Sequence, residues 1–404
     1  MKNQLLHTPE GVRDIYYQEC ERKLCIQDRL HHLCHSFGYR DIQTPTFEFF
    51  DIFNKERGSV ISKEMFKFID REGNTLVLRP DITPSIARCA AKYYMEEDMP
   101  LRFCYVGNTF INNSSYQGRL KETTQLGCEL IGDHSPGADA EMIAMIIRCM
   151  LAAGLTEFQV EIGEVEFFRG LMEEAGIGEE MEAGLRDLME RKNFIGVEEL
   201  LSEAGIGEEM KRKILSLSEL FGSTEKLEEA KKLASNRRSL QAIERLEQIC
   251  EILKAYQLAD YVSFELGMLG RYKYYTGVIV KAYTYGTGEL IVTGGRYDSL
   301  LKQFGKQAAS IGFAINVDQL LIALSRQKLL PEVEKTGIVV LCEPDCQAAG
   351  ASIADALRRQ GKIVELMHRR EEKEVSCYLE YAAQNHRAEV QYITTGGTAV
   401  YTLV

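Results

Sequence analysis

The sequence's clearest pocket pair is Gln125 and Glu129, set four apart on the strand-like run TTQLGCELIG (123–132). Residues i and i+4 of a strand face the same way, and Gly127 between them leaves a small hollow bordered by an amide and a carboxylate. A carboxylate aimed into a cleft calls for a cation or a donor, such as an α-amino group or an imidazole N–H. Asp81 and Thr83 in RPDIT (79–83) add an acceptor and a hydroxyl, while Tyr274 and Tyr275 offer aromatic walls with polar tips. Ahead of the pair lies TFINNSSYQGR (109–119), amides and hydroxyls closed by a single arginine, Arg119. TGGRYD (293–298) has two glycines that admit close backbone approach, and Arg296 and Asp298 are able to brace each other. A bulge with a surface ion pair is the alternative to a site role for that segment. Taken singly, each of these residues is explained as a satisfied or solvated strand position; taken together they point to a site.

Other chemistries find no support. No P-loop, no G-x-G-x-x-G after a first strand, no G-x-S-x-G and no H-E-x-x-H is present, and no cofactor is expected. HHLCH (31–35) lies on a helically spaced stretch, and no further ligand stands nearby in the sequence, so no metal is expected there. The eleven cysteines are scattered and never paired as C-x-x-C, the usage of a reducing cytosol, which predicts a cytoplasmic protein. No targeting segment opens the sequence and no apolar run approaches a membrane span. With 48 Lys and Arg against 60 Asp and Glu, the net charge of −12 does not invite a polyanion.

The elements that must position these residues are legible in outline. A helix over 17–37 precedes a strand over 39–49, a hairpin over 65–78 and a turn-to-helix over 79–95. Strands at 101–110 and 123–132 flank the polar loop, and an apolar helix at 139–155 leads to a strand at 158–163. From 166 to 255 strand signals vanish and helical periodicity takes over. EAGIGEEM occurs there twice, at 174–181 and 203–210, as helix–turn–helix echoes too few for a solenoid. Segments 261–269, 274–285 and 288–297 read as a β-meander, followed by a helix at 317–327. A linker at 328–336 leads to alternating β and α over 335–404. The expectation is an α+β domain, 1–327, with an antiparallel sheet and a helical insertion at about 166–255, then a small α/β domain at 335–404 with a largely parallel sheet.

The ordered motifs GYRDIQTPTFE, LVLRPDITPSIAR, QGRLKETTQLGCELIG, YYTGVIVKAY…GGRYDSLL and SIGFAINVDQLL resemble the class II aminoacyl-tRNA synthetase core, and within it the histidyl-tRNA synthetases, from about residue 7 to 325. The C-terminal unit resembles that family's anticodon-binding domain. The departures matter most. Where motif 2 of the family reads F-R-x-E-R-P, this chain has Ile111 in place of the arginine that grips phosphate. The leading arginine of R-G-L-D-Y-Y is Gly270, and the motif 3 arginine is Gln319. A phosphoryl transition state needs fixed cations, and losing one preorganised donor costs roughly 10²–10³ in rate.

What the resemblance leaves is an amino-acid pocket without its ATP chemistry. Asp81, Thr83, Arg119, Gln125, Glu129, Tyr274 and Tyr275 fall at or beside positions that recognise histidine in the synthetases. Asp81 departs from the usual Glu of that turn and Ile82 from the Gly. This combination, with the opening PEGVRD (9–14), is similar to the ATP phosphoribosyltransferase regulatory subunit family. The similarity implies a non-catalytic subunit in the first step of L-histidine biosynthesis. It would dimerise through its core within a hetero-oligomer and be required for activity of the short catalytic subunit. It would also carry feedback control by L-histidine. No tRNA role is expected, because residues 335–404 carry eight Lys and Arg against nine Asp and Glu. The alternative is an active but divergent histidyl-tRNA synthetase.

Overall fold

The computed structural model describes residues 6–53, 60–113, 119–268 and 274–403, and the chain divides into two compact units, Met1–Leu330 and Pro331–Val404. The first unit begins with α1 (Tyr17–Ser36), β1 (Arg40–Asp41), β2 (Phe47–Phe49), β3 (Lys67–Ile69), β4 (Thr75–Leu78) and α2 (Thr83–Tyr93). The long strands β5 (Leu101–Phe110) and β6 (Glu122–Ile131) lead to α3 (Pro136–Ala153) and β7 (Gln159–Glu164). Ser135 caps α3 by accepting from the Ala138 N–H at 3.2 Å, Pro136 opens it, and Gly154 closes it at φ +101°.

The inserted helices are α4 (Val165–Glu174), α5 (Glu179–Glu190), α6 (Phe194–Glu203), α7 (Glu208–Ser216), α8 (Glu225–Leu233) and α9 (Arg237–Ala255), with β8 (Phe221–Gly222) before α8. Both copies of EAGIGEEM do the same work: a helix ends, Gly176 or Gly205 turns the chain at φ +67° or +70°, and the next helix starts at Glu179 or Glu208. The unit closes with β9 (Val262–Glu265), β10 (Val278–Tyr283), β11 (Val292–Arg296), β12 (Ser310–Asn316) and α10 (Val317–Arg326).

Nine strands form the main sheet in the order β1-β5-β6-β12-β11-β10-β7-β9-β8. Its pairings are antiparallel except β1–β5 and β7–β9, so the α+β class holds with a mixed sheet. Two expected elements differ, and two strands have no counterpart among the expected elements. The strand expected over 39–49 is two short strands in different sheets, since Pro45 between them cannot donate to a ladder. The meander is broken because β7 lies between β9 and β10. The segment SIGFAIN becomes β12, which sits between β6 and β11 at the heart of the sheet. The two-residue β8 is a further strand within the stretch expected to be all helical.

One face of the sheet is covered by α1, α3 and the inserted helices, whose core includes Leu30, Cys34, Cys104, Cys128, Ile143 and Ile147. The other face carries a smaller core of Ile82, Ile86, Tyr105, Tyr274, Tyr275 and Tyr297. Strand alternation separates the two along a single strand: Cys128 faces the helices and Glu129 the opposite side. Among the described residues no helix is long and apolar enough to cross a membrane.

The second unit consists of β13 (Ile338–Cys342), α11 (Gln347–Arg359), β14 (Val364–His368), α12 (Val375–Gln384), β15 (Glu389–Thr394) and β16 (Gly397–Thr402). Its sheet runs β14-β13-β15-β16, with β13 parallel to both neighbours and β16 antiparallel to β15.

Candidate functional site

A cleft on the tyrosine-rich face is lined by Asp81, Thr83, Gln125, Glu129, Tyr274 and Tyr275, six of the seven predicted contacts, together with Tyr297 and Gly312. Glu129 stands at its base, 1% exposed. Register explains its placement: Glu129 on β6 pairs with Gly312 on β12, and a Cβ at Gly312 would overlap the Glu129 carboxylate. Only glycine lets that side chain lie across the neighbouring strand. Thr83 Oγ1, from the first turn of α2, donates to Glu129 Oε1 at 2.7 Å, and the Tyr297 hydroxyl donates to Oε2. Burial lifts the Glu129 carboxyl to about 8; the two hydroxyls pull it down and nearby Asp81 pushes it further up.

The Asp81 carboxylate sits just ahead of α2, where Oδ1 accepts from the Ile82 N–H at 2.7 Å and Oδ2 from the Tyr274 hydroxyl at 3.2 Å. Tyr274 packs edge-on against Tyr275 and Tyr297, with ring centres 5.2 and 6.1 Å away. Gln125 Oε1 is buried with no hydrogen-bond partner, an acceptor aimed where a donor is wanted. The hollow expected over Gly127 is filled by the Tyr105 ring from the paired position on β5. A cleft built from two carboxyl groups, a free amide oxygen and phenols suits a small ligand rich in N–H donors.

The seventh predicted contact, Arg119, is not in this lining. Its Nε donates to Glu289 Oε1 at 2.8 Å, while Gln319 Nε2 donates to Glu289 Oε2 at 3.0 Å. Gln319 is held in turn by the Thr287 hydroxyl, which donates to its Oε1 at 3.0 Å. The residue standing where a nucleotide-binding arginine is expected is thus a satisfied amide beside a carboxylate. Ile111 continues the β5 edge, its N–H donating to the Lys121 carbonyl at 2.8 Å. Gly270 lies outside the described residues. Arg79 of the RPDIT turn is committed to structure, donating to the carbonyls of Asn108 and Thr44 at 2.8 and 2.9 Å.

Tyr297 and Gly312 are among the lining residues that the sequence did not single out as contacts, with Thr293, Gly294, Phe313 and Ala314. A signal for Tyr297 existed in TGGRYD: Arg296 beside it turns to the helical face, so alternation sends Tyr297 to the pocket. Arg296 is 2% exposed and clamps Asp139 of α3, with Nη2 to Oδ1 at 2.5 Å, and also reaches Asp298 at 3.2 Å. The expected brace between Arg296 and Asp298 forms, but the buried partner is Asp139. Gly312 gave no signal until the β6–β12 register was known.

Well away in sequence from this cleft, His31, His35, Asp41 and Cys104 bring one ligand atom each to within 4.8 Å of one another. The expectation that HHLCH finds no further ligands nearby is therefore corrected: α1 flanks its buried stripe with the two histidines, and the fold carries Asp41 and Cys104 to them.

Comparison with known proteins agrees with this architecture. The family model described as histidyl-tRNA synthetase matches residues 11–320. An ATP phosphoribosyltransferase regulatory subunit from Acetivibrio thermocellus is 42% identical over 361 residues, 89% of this chain and 86% of the relative. Its counterpart from Ruminiclostridium cellulolyticum is 40% identical over 360 residues, again 89% and 86%. The crystal structure of an ATP phosphoribosyltransferase regulatory subunit/histidyl-tRNA synthetase from Bacillus halodurans matches with a TM-score of 0.85 at 30% identity, covering 96% of this chain and 98% of that one.

Proposed function

The chain belongs to the family of ATP phosphoribosyltransferase regulatory subunits, and from that premise we propose that it is the non-catalytic partner of a short transferase subunit, sensing L-histidine in the tyrosine-lined cleft. The observation that carries this reading is the separation of two regions that a synthetase needs together. Six of the seven residues expected around an amino acid, Asp81, Thr83, Gln125, Glu129, Tyr274 and Tyr275, line one space. The phosphate side has Ile111 and Gln319 where arginines are expected, and the nearby Arg119 is engaged by Glu289.

Histidine satisfies this cleft through donors. Its α-ammonium and imidazole N–H supply what Glu129, Asp81 and the Gln125 amide oxygen accept. Arginine's permanent planar charge is what phosphate transfer requires, and neither Ile nor Gln replaces it. Histidine binding favours a less active state of the complex. Where histidine changes the affinity for the partner, partner binding changes histidine affinity by the same factor, since coupling between two binding sites is reciprocal. The core dimerises within the hetero-oligomer, the protein works in the cytoplasm, and the C-terminal unit, with its slight excess of acidic residues, takes no tRNA.

Reconstitution with the short catalytic subunit tests this reading. The chain should raise phosphoribosyl transfer from a low basal rate, histidine should inhibit only the complex, and the chain alone should show no histidine-dependent ATP–pyrophosphate exchange. Measurable exchange would instead support a divergent histidyl-tRNA synthetase.

A further inference from the structure

Four side chains of metal-binding type meet where α1 crosses the edge of the main sheet. Ile26, Leu30 and Cys34 form the buried stripe of α1, and His31 and His35 lie on the adjoining face, their ring centres 4.3 Å apart. Edge strand β1 runs parallel to β5 with Asp41 paired to Cys104. That register sets a carboxylate and a thiol side by side on the helix-covered face. Asp41 Oδ1 lies 2.5 Å from His31 Nε2 and Oδ2 lies 3.0 Å from His35 Nε2, while Cys104 Sγ is 3.7 Å from Oδ1.

We propose that His31, His35, Asp41 and Cys104 form a structural binding site for a zinc-class divalent cation. Two imidazoles, a carboxylate and a thiolate are a donor set that zinc accepts, in a closed tetrahedron of four protein ligands. Zinc–ligand bonds of about 2.0–2.3 Å set tetrahedral donor atoms roughly 3.3–3.8 Å apart. The observed separations, from 2.5 Å to the 4.8 Å limit, bracket that spacing. Loading therefore calls for His31 to withdraw from Asp41 by about 1 Å, a side-chain adjustment that leaves the backbone in place. The histidine side chains are 28% and 43% exposed and give entry from solvent, while Cys104 closes the inner side. Binding converts the Cys104 thiol to thiolate and releases its proton to solvent. The cation would fasten α1 to β1 and β5. It sits on the face of the sheet opposite the histidine cleft, so the proposal stands apart from the function argued above.

The test is titration of the metal-stripped full chain with Zn²⁺ against a chromophoric chelator, with Co²⁺ as an optical probe. One equivalent of Zn²⁺ should bind, and the melting temperature should rise with its concentration. Bound Co²⁺ should show a thiolate charge-transfer band that Cys104→Ser removes. His35→Ala, at a partly exposed position, should weaken Zn²⁺ by at least about tenfold, and Cys377→Ser, at an exposed cysteine elsewhere, should change nothing. If Cys104→Ser fails to fold, His35→Ala and His31→Ala carry the test alone. Sub-stoichiometric binding, or binding equally tight in the histidine variants, would show an adventitious ion only and overturn the site.

Discussion

Thr83 Oγ1 donates to Glu129 Oε1 at 2.7 Å across the join between α2 and β6, and this contact fixes an otherwise buried carboxyl at the base of the cleft. Burial holds that carboxyl near 8, so it is largely protonated at neutral pH. A cationic ligand stabilises the carboxylate and lowers the pKa again. Histidine binding at pH 7.5 should therefore release a proton, up to about one per site, and the release should fade above pH 9. Calorimetry in buffers of different ionisation heat measures it. Buffer-independent heat, or the same release from Glu129→Gln, would remove Glu129 from the ligand's charge balance.

Two buried carboxyls should make the ligand-free protein less stable as pH rises. Glu129 and Glu164 both sit near 8, each raised chiefly by burial from an ordinary value of 4.5. Between those values the folded state holds a proton that the unfolded state has lost. Their stabilisation is thus complete below about pH 4.5 and lost as pH climbs towards 8, by up to about 1.4 kcal/mol per pH unit and group. Urea denaturation at pH 6 and pH 8 should show the lower midpoint at pH 8, with a shallower dependence in Glu129→Gln. A higher midpoint at pH 8 would contradict the assignment.

Gly312→Ala should empty the cleft of function while the sheet survives. The new methyl occupies the position of the Glu129 carboxylate, so the side chain must leave its two hydroxyl donors. Losing a buried hydrogen bond to a charged group costs about 1.5–3 kcal/mol, or roughly 10–100-fold in histidine affinity. Titration of the variant, with circular dichroism as a control for folding, decides it. Unchanged affinity would mean that the carboxylate does not face the ligand.

Arg296→Ala should be among the most damaging single changes. It takes one of two cations from the fully buried Asp139 carboxylate, which Arg296 approaches at 2.5 Å and Arg245, the one that remains, at 2.6 Å. Breaking a buried ion pair on one side costs about 3–5 kcal/mol. Asp298→Asn, which leaves the Asp139 clamp intact, should cost much less. Equilibrium unfolding of both variants gives the comparison.

Much of the cleft was legible because its residues sit on short, strongly patterned segments. Gln125 and Glu129 share a strand face, and Asp81 and Thr83 straddle a helix start, so local periodicity alone turns them the right way. What escaped depended on register between distant strands. Gly312 acquires meaning only opposite Glu129, and Cys104 only beside Asp41, pairings that no local spacing encodes. The β-meander failed for the same reason, since β7 inserts between two segments adjacent in sequence. Arg119 was misplaced because it ends a long loop, and Glu289, 170 residues away, captures it. Arg296 was correctly singled out, yet its principal partner is on a helix rather than two residues along the strand.

The cleft is proposed to bind L-histidine and to perform no chemistry on it. Isothermal titration of histidine into the full chain, alone and with the short catalytic subunit, tests it most directly. Saturable binding at one site per chain is expected, weakened in Glu129→Gln and Gly312→Ala, with an affinity that shifts when the catalytic subunit is present. No binding in either state would contradict it.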